Sequence, residues 1–290
     1  MSAIENLPRL NGVIRAFEQG KPAFTTFTPT EAGAATALRS APYDGVVFEM
    51  EHLPYDVRGL VDGLQYLLDR RQIATSGSLA PAVTPLARIP ANGGEMNQWQ
   101  AKQVLDQGVY GVLWPHINTV AEARNAVVAC RYARPPGSPY FEPGGIRGDG
   151  PVRAAAYWGM TPEEYCSRAD VWPLNPQGEI FVGILCETER GIKNLRSILK
   201  EVPGIAAVLI GKADLAQDLG QPRQYKHPSV AAAIDQALAI CQEFKVPCGL
   251  PGVESDDVEP LLEKGFRWLM MMTPRHSHAA LEKARRATGR

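Results

Sequence analysis

The chain has 290 residues, 45% of them hydrophobic, with 30 basic and 31 acidic side chains and a net charge of −1. A chain of this size and composition buries a sizeable core, which excludes disorder. The balanced charge excludes a nucleic-acid footprint or polybasic membrane patch.

In chain order, residues 8 to 19 predict an opening helix, with Leu10, Val13, Ile14 and Phe17 on one face. Gly20-Lys21-Pro22 ends it, and Ala23–Phe27 is the first strand. Thr30 is placed to cap a helix from Glu31 to Ser40. The second strand is Gly45–Met50, followed by a helix from about Tyr55 to Arg71. The third strand is Thr84–Ile89, and its helix runs from about Glu95 to Gln107 with Gly108 as C-cap. The fourth strand is Tyr110–Trp114, and Thr119 with Glu122 forms a capping box for the helix to Tyr132.

Residues from about 134 to 178 are rich in proline, glycine and aromatics and form a long insertion, with a short helix opening at Thr161-Pro162. A long ordered segment in a compact fold is usually functional. The fifth strand then runs to Glu187, with Thr188 as the next helix cap. The sixth is Ala206–Ile210, ending Gly211-Lys212-Ala213-Asp214. A helix from Pro228 to about Phe244, a strand Val246–Leu250, a helix capped by Ser255 and a strand Arg267–Met272 follow. A last helix, His278 to Ala287, completes the pattern.

Eight strands alternate with helices, and most are short continuous apolar runs, as parallel strands covered on both faces are. The expectation is one domain over residues 1–290: a (β/α)8 TIM barrel with an extra N-terminal helix and the insertion before strand five. An open doubly wound sheet would carry a Gly-rich turn after its first strand, whereas Thr28-Pro29-Thr30 stands there. No apolar run reaches the roughly 18 residues of a membrane span. Met1–Asn6 holds an acid and no apolar segment, so no signal peptide is expected. The five scattered cysteines (130, 166, 186, 241, 248) include no CxxC and read as reduced thiols of a cytoplasmic protein.

Barrel chemistry sits at the C-terminal ends of the strands. There the sequence puts Glu49, Glu51, His52, Arg88, Trp114, His116, Glu187, Asp214, Thr273 and Arg275, with His276 following. Neighbouring strands lie about 4.8 Å apart, so Glu187 and Asp214 at the tips of parallel neighbours can grip one hard divalent cation. Such an ion can hold a 2-oxo acid and polarise its carbonyl. Arg88 is placed to steady the resulting enolate, and His52, oriented by Glu49 or Glu51, to move protons. The amides from Gly211 to Asp214 can cradle a carboxylate. Taken alone, Glu187 and Asp214 read more readily as helix caps or surface ion-pair partners than as metal ligands. His116 reads as structural, the Met270–Met272 run as barrel packing, and Arg147 as either shaping the insertion or binding a substrate anion. No lysine stands at the fifth or sixth strand end where an imine would need it; Lys212 is the nearest. Trp114, Tyr140, Phe141 and Trp158 are candidates for an aldehyde pocket.

Several stretches together resemble the HpcH/HpaI aldolase and citrate lyase family of class II pyruvate aldolases. They are Val46–His52, Pro85–Arg88, Ala101–Gly108, Gly145–Gly148, Glu187–Glu189 and Ile210–Leu215, in the family's order. The resemblance implies that Glu187 and Asp214 bind the metal (Mg, Mn or Co), His52 is the acid–base histidine and Arg88 binds the oxo acid. It implies that Gly211 and Ala213 form the carboxylate-binding turn, and that Asp106 reaches a site near a subunit boundary. It further implies a homo-oligomer, trimer or hexamer, that exchanges its last helix and acts on a 2-oxo acid and an aldehyde; the charge balance and the lack of a long apolar run already argue against nucleic acid and membrane as partners. Glu49 stands where relatives carry an aspartate, Leu185 where some carry glutamine, and Lys212 where proline or threonine is common. The long insertion is similar to that of the macrophomate synthase branch. The reading is therefore a metal-dependent carbon–carbon lyase on 4-hydroxy-2-oxo acids. The alternatives are an oxaloacetate decarboxylase or enolate-trapping enzyme, then a CoA-ester lyase, which lacks a basic cluster for its phosphate, and a non-catalytic relative.

Overall fold

The structure is a computed structural model and describes residues 8–91, 96, 98–273 and 278–290. Its centre is a parallel barrel of eight strands: β1 Ala23–Thr28, β2 Gly45–Glu49, β3 Thr84–Arg88, β4 Gly111–Trp114, β6 Ile180–Cys186, β7 Ala207–Ile210, β8 Cys248–Val253 and β9 Trp268–Met271. Each pairs in parallel with its neighbour, and β4 pairs with β6 to close the cylinder. A ninth strand, β5 Val171–Trp172, lies inside the insertion and pairs with the start of β6. At two residues it carries no hydrophobic period that a sequence reading could detect.

Helices cover the barrel: α1 Gly12–Glu18, α2 Ala32–Leu38, α3 Val57–Leu67, α4 Arg70–Ser76, α5 Gln98–Gln107, α6 Val120–Ala129, α7 Val152–Trp158, α8 Pro162–Arg168, α9 Glu189–Glu201, α10 Lys212–Asp218, α11 Pro228–Glu243, α12 Val258–Lys264 and α13 Ala279–Ala287. The expected Tyr55–Arg71 helix is two helices. The Asp69 side chain accepts the Gln72 amide at 3.0 Å and so starts α4 afresh. The capping boxes at Thr119/Glu122 and Thr161/Glu164 form as expected, and Thr188 caps α9. Thr30 does not cap α2, whose N-cap is Glu31 with no side-chain bond. Ser255 opens a 3-10 turn ahead of α12 rather than capping it. The expected helix start at Glu95, and Arg275 and His276, lie outside the described residues, as does Met1–Asn6. Among the described residues, no helix is long and apolar enough to cross a membrane.

The barrel interior is filled by side chains. Phe181 meets Trp268 edge-on at 5.2 Å, and the Trp268 indole donates to Thr25 Oγ1 at 2.8 Å, so the interior is packed rather than open. Of the methionine run, Met270 and Met271 pack in this core, while Met272 is exposed. Helix α13 lies on α12 of its own chain, with Leu281 and Ala284 fully buried.

A fully buried arginine is one of the ties that hold the insertion to the barrel's flank. Arg131 is fully buried; its Nε donates to Asp170 at 2.6 Å, and its Nη groups donate to the carbonyls of Pro143 and Tyr140, each at 2.6 Å. Burial works against the Asp170 charge, but Arg131 and Arg134 overcome it and hold its carboxyl below the ordinary value. Breaking a buried pair strands the remaining charge, at a cost of about 3–5 kcal/mol. Arg131→Met is therefore expected to lower the urea midpoint by that equivalent. A shift below about 1 kcal/mol would mean that the strap contributes nothing net.

Candidate active site

The register brings the chemistry together at one end. Glu49 at the tip of β2 pairs in register with Arg88 at the tip of β3. Cys186 of β6 is in register with Ile210 of β7, so the next residues, Glu187 and Gly211, also stand side by side. A Cβ on Gly211 would overlap the Glu187 carboxylate, so only glycine lets the acid lie across the strand gap. Gly211 then N-caps α10, whose first turn carries Asp214.

Arg88 is buried and ion-paired to both Glu49 and Glu51, the latter at 2.9 Å, with its guanidinium 4.3 Å from the centre of the Phe27 ring. Among the described residues its Nε has no partner. Glu49 also accepts the amides of Glu51 at 2.8 Å and His52 at 3.1 Å. Of the two acids expected to orient His52, Glu51 rather than Glu49 faces its ring. Glu49 folds back under its own turn to hold Arg88, and the acid facing His52 Nε2 is Glu51, at 3.8 Å. The His52 ring itself is exposed.

Glu187 is 1% exposed, and its Oε1 accepts the His116 amide at 2.7 Å. Burial, then the Asp214 charge, pushes its carboxyl from the ordinary 4.5 up to about 7, against the His116 amide and Arg88. Glu51 is pushed up likewise, by burial first and by Glu187 and Glu49, against Arg88 and His52. A folded-state value above the unfolded one favours the fold at low pH, and that advantage is lost as pH rises from about 4.5 through about 7. For Glu187 alone the shift corresponds to roughly 3 kcal/mol. Chelator-treated protein is thus expected to melt at a lower temperature at pH 8 than at pH 5, and Glu187→Gln to flatten that profile. Equal slopes for both proteins in melting curves across this range would refute the assignment.

His116, expected to be structural, lies at the mouth in a left-handed backbone conformation (φ 53°). Its Nε2 is 3.8 Å from Glu187 Oε1. One ligand atom each from Glu51, His116 and Glu187 lie within 4.8 Å of one another. Buried carboxylate, raised carboxyl values and convergent donors fit a divalent cation, whose charge would meet Glu187, while Glu51 already faces Arg88.

A cavity of about 1090 Å³ opens here, lined by His52, Arg88, Glu187, Gly211, Ala213 and Asp214 among others. Leu185, Lys212, Arg223, Tyr225 and Met272 also line it. Arg223 and Tyr225 were not foreseen, because the α10–α11 loop that carries them has no periodic signal. Lys212 points away from imine chemistry: its Nζ donates to the Gly252 carbonyl at 3.4 Å.

Other expected residues lie elsewhere. Trp114 is fully buried, with its indole beside the Cys130 thiol of α6, so it does not reach substrate from this position. Trp158 stacks on Tyr110 at 4.1 Å and donates to the Gly108 carbonyl at 2.9 Å. Among the described residues, none from 134 to 178 lines the cavity, which removes Tyr140, Phe141 and Trp158 from an aldehyde pocket within one chain. Asp106 and Arg147 pair with each other at 2.8 Å on the flank, where Arg147 also bonds the Tyr165 hydroxyl at 2.9 Å and stacks over Tyr132.

The family signature described as HpcH/HpaI aldolase/citrate lyase matches residues 26–269. The 4-hydroxy-2-oxovalerate aldolase of Rhodococcus jostii is 34% identical over 81% of this chain and 76% of its own length. A 4-hydroxy-2-oxo-heptane-1,7-dioate aldolase of Escherichia coli is 36% identical over 72% of this chain and 68% of its own. An HpcH/HpaI aldolase/citrate lyase family protein from Burkholderia cenocepacia superposes with a TM-score of 0.75 at 26% identity, covering 96% of this chain and 97% of that one. Macrophomate synthase shares the fold, with a TM-score of 0.70 at 20% identity over 99% of this chain and 93% of its own. The chain therefore belongs to the HpcH/HpaI aldolase/citrate lyase family.

Proposed function

We propose that this protein is a divalent-metal-dependent aldolase that cleaves a 4-hydroxy-2-oxo acid to pyruvate and an aldehyde, or forms it from them. The observation that carries the reading is the buried, cation-poor carboxylate of Glu187 at the floor of a cavity that Arg88, His52 and Asp214 share. The named activities of the Rhodococcus and Escherichia relatives agree with it.

Glu187 and Asp214 would hold the ion, which is Mg, Mn or Co in this reading. When bound, it supplies Lewis-acid polarisation of the substrate's 2-oxo group. The remaining work falls to side chains. Gly211 and Ala213 line the wall against which the substrate carboxylate rests. A base takes the proton of the 4-hydroxyl, the C3–C4 bond breaks, and its electron pair flows into the pyruvate enolate. His52, beside Glu51, is the group placed to carry that proton, directly or through water, and to return one to C3. Arg88 meets the developing enolate charge with a fork already fixed by Glu49 and Glu51, so little reorganisation is needed.

Asp106 and Arg147 enter this scheme only if a second copy of the chain delivers them, in the trimer or hexamer that the resemblance implies. Full activity from a monomer in light scattering would remove both from the mechanism. The five described cysteines are free thiols, which suits a cytoplasmic enzyme. The test is pyruvate release from a panel of 4-hydroxy-2-oxo acids and from oxaloacetate, with each of the three metals and after chelation. Turnover that persists in metal-free protein sinks the reading. Turnover of oxaloacetate alone makes it a decarboxylase.

A further inference from the structure

We propose that the His116 imidazole is a direct ligand of the divalent ion, bonding through Nε2 beside Glu187, with Glu51 supplying an oxygen from the Arg88 side. This rests on the metal-dependent reading and adds to its carboxylate pair a nitrogen donor that changes which metals the site favours.

Three observations converge. First, donor atoms of Glu51, His116 and Glu187 lie within 4.8 Å of one another. Donors around one ion at about 2.1 Å stand up to about 4.2 Å apart, so a small side-chain rotation completes the set. Second, Glu187 is aimed into the cavity with its side chain 1% exposed, and among the described residues no lysine or arginine lies within ion-pair distance. A carboxylate so buried needs a cation. Third, His116 is held in place: its amide bonds the same Glu187 oxygen that its ring faces, at 2.7 Å and 3.8 Å respectively. The ring is 40% exposed and makes its one ion-pair contact among the described residues with Glu187, with Glu51 a little farther off, so it can turn onto an ion between them.

An imidazole ligand shifts a hard oxygen site toward cobalt, nickel and zinc and away from magnesium. The chain should therefore prefer Co²⁺ over Mg²⁺ more strongly than a site of carboxylates and water alone would.

The test is pulsed EPR of the Mn²⁺-loaded protein, with competition binding for Co²⁺ and Mg²⁺. Wild-type protein should show one ¹⁴N coupling, which changes when its histidines are ¹⁵N-labelled. The coupling should survive His52→Gln and vanish in His116→Asn. Asparagine tolerates the left-handed backbone and so keeps the amide bond to Glu187. His116→Gly serves the same purpose if the asparagine variant does not fold. Co²⁺ affinity should fall about 10–100-fold in His116→Asn and Mg²⁺ affinity far less. Bound Mn²⁺ without nitrogen coupling, or coupling retained in His116→Asn, overturns the assignment of His116 and leaves the aldolase reading standing. Failure of wild-type protein to bind any of these ions overturns both.

Discussion

Glu187→Gln is expected to lower kcat/KM for pyruvate release by about 10³-fold or more while making the metal-free protein more stable at pH 8. The two effects have one origin. The carboxylate is 1% exposed and burial drives its carboxyl up to about 7, so the folded chain carries a charge there at a cost that only a cation offsets. Glutamine keeps the shape and can still accept the His116 amide, but it removes the charge that holds the ion. Lewis-acid assistance is worth several kcal/mol, and each 1.36 kcal/mol is about tenfold in rate. A variant that merely damaged the fold would lose activity and stability together. Calorimetric melts and steady-state kinetics on the same preparation separate the two. A variant with wild-type turnover, or one less stable than wild type when metal-free, would contradict the role given to Glu187.

Arg88→Lys should cost about 10²–10³ in kcat with a smaller change in KM, because the lost interaction is strongest once negative charge has developed on the substrate. Lysine keeps the charge but not the fork that spans Glu49 and Glu51 at once. Arg88→Met should lose as much activity and also about 3–5 kcal/mol of stability, since it strands two buried acids. Adding Glu49→Gln to Arg88→Met should return part of that stability without returning activity. Urea titrations check the first half and kinetics the second. If Arg88→Met is as stable as wild type, the arginine does not hold the two acids, and its catalytic role must rest on substrate contact alone.

The barrel was legible because its evidence is local. Runs such as Ala207–Ile210 and Trp268–Met271 are apolar on both faces, and caps such as Thr119 and Thr188 mark where helices start. So were the tips that carry Glu49, Arg88 and Glu187, since a strand's end is read from its own sequence. What stayed hidden depends on pairs distant in the chain. Glu49 serves Arg88 rather than His52 because β2 and β3 lie in register, a relation between positions that no single stretch records. His116 was placed on the rim but read as structural, because the left-handed turn after β4 that sets its ring against Glu187 leaves no mark in the sequence. Trp114 was misplaced by one face: a strand's side chains alternate, and this one points out to α6. The insertion's composition announced an ordered segment, but not that Arg131 would bind it to the flank.

That strap has a consequence for chemistry. A segment tied down beside α5 and α6 is not a roof, and among the described residues none of it reaches over the cavity of about 1090 Å³. An enolate formed there faces two competitors, an aldehyde and a solvent proton. In an open vessel the proton is always present and the aldehyde seldom is. The partition between them, more than the rate of bond cleavage, then sets how well this protein works as a synthetic catalyst, and it hands control of yield to acceptor concentration.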